Sequence, residues 1–113
     1  MNIKTLIGVA LLCLSFAAAA QYQVISQAYE IALSDFRAPA TENGGAAFKE
    51  ECEECDYKVV RVTSGTLYVV NGKTVRLKEF RKAVSQVHDR DEVTLTVLHH
   101  LESDTIVSIA VSL

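Results

Sequence analysis

The sequence predicts an α+β domain: a small, mostly antiparallel sheet with one amphipathic helix packed on it, preceded by a signal peptide and a loop-rich N-terminal segment. Three observations carry this. Residues 57–113 hold several short runs rich in β-branched residues, separated by turn signals. One stretch among them, "RLKEFRKAVSQVH", has a helical period instead. The first twenty residues are apolar behind a single lysine, Lys4.

The chain divides into a leader (1–20), an N-terminal strand-and-loop segment (21–56) and the α+β domain (57–113). In the leader, Lys4 gives the positive start and Leu6 to Ala20 the apolar run. Ala18 and Ala20 fit an A-x-A cleavage site that leaves Gln21 as the new N-terminus. A spanning helix needs about 20 apolar residues, more than this run supplies. A lipid-modified Cys13 would want small residues before it, and Leu11 and Leu12 stand there. The leader therefore implies export to a periplasm or outside the cell, with no stable membrane insertion after cleavage.

Cleavage removes Cys13 and Lys4. Two cysteines remain, Cys52 and Cys55, and the formal charge moves from −3 to about −4. A mildly acidic exported chain is a poor nucleic-acid binder, since that affinity depends on basic charge. The mature chain is one small domain, which buries a modest fraction of its surface and gains from a disulfide.

In the N-terminal segment, Tyr29, Ile31 and Leu33 alternate with Glu30, Ala32 and Ser34, which predicts a short strand. "RAPATENGGAA" follows with the lone proline, Pro39, and Gly44-Gly45, and reads as a loop. "YKVVRVT" and "TLYVV" read as strands, with Ser64-Gly65 as the turn between them. The second is apolar on both faces, as a central strand would be. Asn71-Gly72 marks a hairpin, with "KTV" as the short return. Leu77, Phe80, Val84 and Val87 form the apolar stripe of the helix, which is too short to stand without packing on the sheet. Val93, Leu95 and Val97 then alternate with Thr94 and Thr96. After "ESD", Val107, Ile109, Val111 and Leu113 alternate with Ser108, Ala110 and Ser112, giving an antiparallel hairpin.

The stretch "LYVVNGKTVRLKEFRKAV", then "DEVTLTVL" and a last strand ending at Leu113, resembles the C-terminal half of bacterial PDZ domains of the kind found in HtrA-type periplasmic proteases. The likeness runs from about Leu67 to Leu113. The chain departs from that family at two places. No glycine-rich carboxylate-binding loop is evident, and only Ser64-Gly65 stands where a small-residue helix is usual. The resemblance thus implies a similar local architecture rather than capture of a peptide terminus. The same order of elements also resembles the periplasmic domains of ExbD/TolR-type proteins.

Three groups of residues are candidates for chemistry. Cys52 and Cys55 lie among Glu50, Glu51, Glu53, Glu54 and Asp56. That negative surrounding raises thiol pKa values and disfavours a reactive thiolate. A local disulfide is the expected state. The alternative is a metal-binding or redox-responsive role, with His88, His99 and His100 as the remaining ligand candidates for a tetrahedral ion. His99 and His100 are adjacent in a strand and point to opposite faces, so at most one joins the cysteines readily. The third group is the basic set Lys73, Arg76, Lys78, Arg81 and Lys82, candidates for docking an anionic partner.

There is no HExxH, P-loop or GxSxG pattern, and no sequence grouping of a serine, a base and an orienting acid. The expectation is a small exported, non-enzymatic binding or accessory protein with no cofactor. It would contact another envelope protein or a peptide through a sheet edge. If the leader is cleaved as read, intact-mass measurement of the exported protein gives a chain beginning at Gln21. A mass retaining Met1 contradicts the cleavage.

Overall fold

A computed structural model describes residues 25–113, and the leader and its cleavage site lie outside the described residues. The described chain contains eight strands and one α-helix. The strands are β1 (Ser26–Ala32), β2 (Phe36–Arg37), β3 (Gly45–Phe48), β4 (Lys58–Arg61), β5 (Leu67–Val70), β6 (Lys73–Val75), β7 (Thr94–His100) and β8 (Thr105–Val111). The helix α1 (Leu77–Ser85) joins β6 to β7, and a 3-10 turn (Leu33–Asp35) joins β1 to β2. No described helix is long and apolar enough to cross a membrane.

The strands form one mixed sheet in the order β1-β7-β8-β4-β3-β2, from which the β5–β6 hairpin branches at β8. The expectation of a mostly antiparallel sheet needs one correction. β4 and β5 both run parallel to β8. They lie end to end along one side of it, β4 beside Thr105 and β5 beside Ser108 to Val111. The Ser64-Gly65 turn therefore does not fold β5 back on β4. It carries the chain onward along the same neighbour. Thr66 fixes this step, since its hydroxyl donates to the Ile106 carbonyl (2.7 Å) and accepts from the Thr63 N–H (3.0 Å).

Asn71-Gly72 makes the tight hairpin that the sequence predicts. Val70 pairs with Lys73 across it, and both turn residues have positive φ (53° and 80°). That is the combination a two-residue hairpin turn requires, and asparagine and glycine adopt it at least cost. The Asn71 side chain also accepts from the Leu113 N–H at 2.7 Å, tying down the chain end.

Two elements differ from the sequence reading. Residues 45–47, read as the end of a loop, form β3 together with Phe48, paired to β2 and β4. Gly45 and two alanines carry little strand signal. Close packing explains the glycine, because a Cβ at Gly45 would sit 2.8 Å from Val59 Cγ1. The rest of the loop is held by buried Pro39 and by a turn from the Thr41 carbonyl to the Gly44 N–H.

The second difference lies in β8, where simple alternation puts Val107, Ile109 and Val111 on the core face. In the fold Ile106, Ile109 and Val111 are buried and Val107 is exposed. The register against β7 slips between Leu98 and His99, so that Leu98 pairs with Ser108 and His99 with Ile106. Val107 is the extra residue of a β-bulge, which turns Ile106 inward. Leu113 is likewise exposed, beyond the end of the strand.

The core holds Ile31, Phe48, Leu95, Val97, Ile106 and Ile109 from the strands and Leu33 from the 3-10 turn, covered by Leu77, Phe80 and Val84 of α1. Phe80 is fully buried, with its ring 5.4 Å from Tyr68 and edge-on to Phe36 at 6.3 Å. The end of the helix is tied by Arg90, which donates to the Val84 carbonyl (2.8 Å) and the Leu33 carbonyl (3.4 Å). A cation is well placed at a helix C-terminus.

Phe80→Ala should cost about 3–5 kcal/mol of unfolding free energy in urea titrations. Val59→Ala, on the exposed face of β4, should stay within about 0.5 kcal/mol. Equal losses at the two positions would contradict this placement of the core.

Candidate functional site

A groove runs along the first half of α1, opposite the 38–44 loop. One hollow, of about 260 Å³, lies between Ala40, Thr41 and Glu42 on the loop and Leu77, Lys78 and Arg81 on the helix. A second, of about 170 Å³, shares Glu42 and Leu77 and continues to Thr63, Tyr68, Val75 and Arg76. The groove arises locally. The helix stripe turns Leu77 and Phe80 into the core, which leaves Lys78 and Arg81 on the flank facing the loop. Arg81 holds the loop by donating to the Ala40 carbonyl at 3.4 Å.

Of the five basic candidates, Arg76, Lys78 and Arg81 line this groove. Lys73 and Lys82 are exposed and line neither hollow. Tyr68 is a groove residue that sequence reasoning placed only as a strand residue. It is buried, and its hydroxyl has no hydrogen-bond partner. Burial, and next the charge of Glu42, push its pKa above the ordinary tyrosine value of 10.0. The phenol is therefore a neutral donor at neutral pH.

The acidic stretch forms an exposed turn between β3 and β4, closed by a Cys52–Cys55 disulfide with Cα atoms 5.2 Å apart. Glu50 pairs with Lys58 at 3.6 Å, so this acid answers a neighbouring strand and not the helix face. Lys58 in turn lies over the Tyr29 ring, 4.9 Å from its centroid. With both sulfurs in a disulfide, neither cysteine is a thiolate ligand. Among the described residues no three histidine, cysteine, aspartate or glutamate side chains gather as a metal site. His88 is exposed in the segment after α1, apart from the other two histidines.

His99 and His100 do point to opposite faces of β7. The His99 ring turns inward beside Tyr29, 6.2 Å between centroids, and its Nε2 lies 2.7 Å from Asp104. His100 Nδ1 lies 2.9 Å from the Ser103 hydroxyl and also accepts the Ser103 N–H at 3.2 Å. The turn thus groups a serine with a histidine, a pairing the sequence reading did not find. The Ser103 hydroxyl also meets Thr105 at 2.8 Å, and the whole set is exposed. These contacts close the β7–β8 turn, in which Asp104 takes a positive φ of 53°.

β1 has a different property. It pairs with β7 from Ser26–His100 to Ala32–Thr94, and with no other strand among the described residues. The Ile25 carbonyl accepts from Leu101 and the Leu33 N–H donates to Val93, so odd-numbered residues bond β7. Backbone direction alternates along a strand. Ser26, Ala28, Glu30 and Ala32 therefore aim their N–H and C=O groups at the outer edge.

No family model matches the chain, and neither a curated protein nor a solved structure matches it.

Two measurements test the site geometry. Replacing both cysteines by serine should cost about 2 kcal/mol, the loop-closure entropy of so short a disulfide loop, with the fold retained. Collapse of the far β7–β8 amide signals would contradict a purely local staple. The second concerns alkaline pH. The unfolded chain ionises Tyr68 near 10.0 while the folded chain keeps its proton to higher pH. Stability should fall as pH rises across that window. In Tyr68→Phe that part of the fall should vanish, and an unchanged alkaline profile would contradict the shift.

Proposed function

We propose that this chain is a small exported, non-enzymatic binding or accessory module that takes an added strand from an envelope protein or peptide along the outer edge of β1. One observation carries the reading: a seven-residue strand whose outer backbone groups have no partner among the described residues. Such an edge pairs readily with another chain unless it is blunted. Here the outward-facing side chains beside it are small or single-charged, Ser26, Ala28 and Glu30, with no lysine and no proline. The opposite end of the sheet offers much less, since β2 has two residues.

The order of β5, β6, α1, β7 and β8 supports the reading of the C-terminal half as PDZ-like. The role proposed for β1 does not depend on it. The metal-binding alternative lacks support from the cysteines, which are joined to each other. Among the described residues no acid bonds His100 of the Ser103–His100 pair, and its nitrogen facing the serine already receives the Ser103 N–H. That arrangement suits a turn better than a nucleophile.

Ala28→Pro tests the edge. Proline removes one outward N–H and leaves the β7 ladder its donors, as edge strands tolerate. Partner recovery from envelope extracts should fall at least tenfold, with thermal stability changed little. Undiminished recovery of the same partner by a folded Ala28→Pro protein would sink the proposal.

A further inference from the structure

The charge around β1 specifies the kind of strand this edge takes. Residues 25–36 and 91–113, which form β1, β7, β8 and the turns beside them, hold Glu30, Asp35, Asp91, Glu92, Glu102 and Asp104 and no lysine or arginine. The cations gather elsewhere: residues 58–90 hold eight lysines and arginines against two acids.

The fold sets the acids along the edge. Glu30 is exposed near the middle of β1, and the residue across from it on β7 is Thr96, so β7 offers it no cation. At one end of β1 the Leu101 N–H donates to the Ile25 carbonyl, which brings Glu102 to the start of the strand. At the other end the Leu33 and Ser34 N–H groups donate to the Val93 and Arg90 carbonyls, which places Asp91 and Glu92 beside its close. Glu30, Asp91, Glu92 and Glu102 are all exposed. The cations that come near are engaged. Arg90 donates to the Val84 and Leu33 carbonyls, and Lys58, over the Tyr29 ring, answers Glu50. Of the six acids, only Asp104 has an ionic contact among the described residues, with His99.

Given β1 as the docking edge, we propose that the segment it takes is basic: an extended stretch about as long as the seven-residue β1, with lysine or arginine at alternate positions on the Glu30 side of the sheet. Backbone bonds to such an edge give affinity without regard to sequence, and alternate side chains give specificity. Ser26, Ala28 and Ala32 share the face of Glu30 and are small. A long basic side chain on the added strand can lay its stem across them and set its charge beside Glu30. Edges are often blunted with lysine. This one carries the opposite sign, so it attracts basic segments and turns acidic ones away.

The test is amide NMR titration of the protein with two synthetic peptides of the length of β1, one alternating threonine with lysine and the other threonine with glutamate. Each is run at about 0.01 M and about 1 M salt, where charges are screened over about 30 and 3 Å. At the lower salt the lysine peptide should shift the Ala28, Glu30 and Ala32 amides saturably and bind about tenfold more tightly than the glutamate peptide. The gap should close at the higher salt. Glu30→Gln should weaken the lysine peptide by up to about fivefold, the range of an exposed ion pair. Ala28→Pro should weaken both peptides. Equal binding of the two at the β1 amides leaves β1 a docking edge and overturns its preference for bases. Failure of either peptide to reach β1 at any salt overturns the docking edge itself, and the proposal with it. Lysine-peptide shifts confined to the 50–56 turn, or retained in full by Ala28→Pro, place the attraction away from the edge and overturn the proposal. Loss of β1 amide signals with rising protein concentration alone assigns the edge to a second copy, through its basic Lys73–Val75 strand, and overturns it too.

Discussion

The fold depends on β8. This last strand bonds β7 along one side and both β4 and β5 along the other, so every part of the sheet reaches the core through it. Its buried residues, Ile106, Ile109 and Val111, are not spaced by two, and only the bulge at Val107 lets them share a face. The bulge also sets where Thr66 can reach the Ile106 carbonyl, and thereby where β4 ends and β5 begins. A strand with one residue fewer would turn either Ile106 or the Ile109–Val111 pair to solvent. Each buried aliphatic side chain contributes roughly 1.5–3 kcal/mol, so no small domain of this kind could absorb the loss.

With β8 in the middle, the open surfaces are the parts it leaves unpaired. β1 reaches the core only through β7, and its outer backbone groups face outward. The branch at β5–β6 lifts α1 across the sheet, and the 38–44 loop closes over the helix flank through Arg81 and Ala40. The groove between loop and helix is thus a by-product of the branch. Tyr68 lies among the residues that line the groove, with its ring in the core against Phe80. The disulfide closes its own turn between β3 and β4.

Much of this architecture was legible in the residues. The Asn71-Gly72 hairpin, the Leu77–Phe80–Val84 stripe and the alternation through Leu95 and Val97 each express a local rule, and each recurs in the fold. Where the rule is not local, the sequence was silent. β3 is a strand because β2 and β4 flank it. The parallel pairings on β8 depend on a three-way meeting of distant segments. The bulge breaks the period of two that alternation assumes. At the groove, the charge of Arg76, Lys78 and Arg81 was visible, whereas the partnerless Tyr68 hydroxyl is a property of packing alone. One signal was available: an arginine stands at the N-cap, where an acceptor is usual.

Amide hydrogen exchange on the protein reads two features at once, the organisation of the sheet about β8 and the open edge of β1. The slowest amides should lie in β7 and β8. Within β1, protection should alternate: Gln27, Tyr29 and Ile31, bonded to β7, exchange slowly, while Ala28, Glu30 and Ala32 exchange at rates near those of open chain. Uniform protection along β1 in the isolated protein would mean that the edge is already occupied, and it would contradict the account.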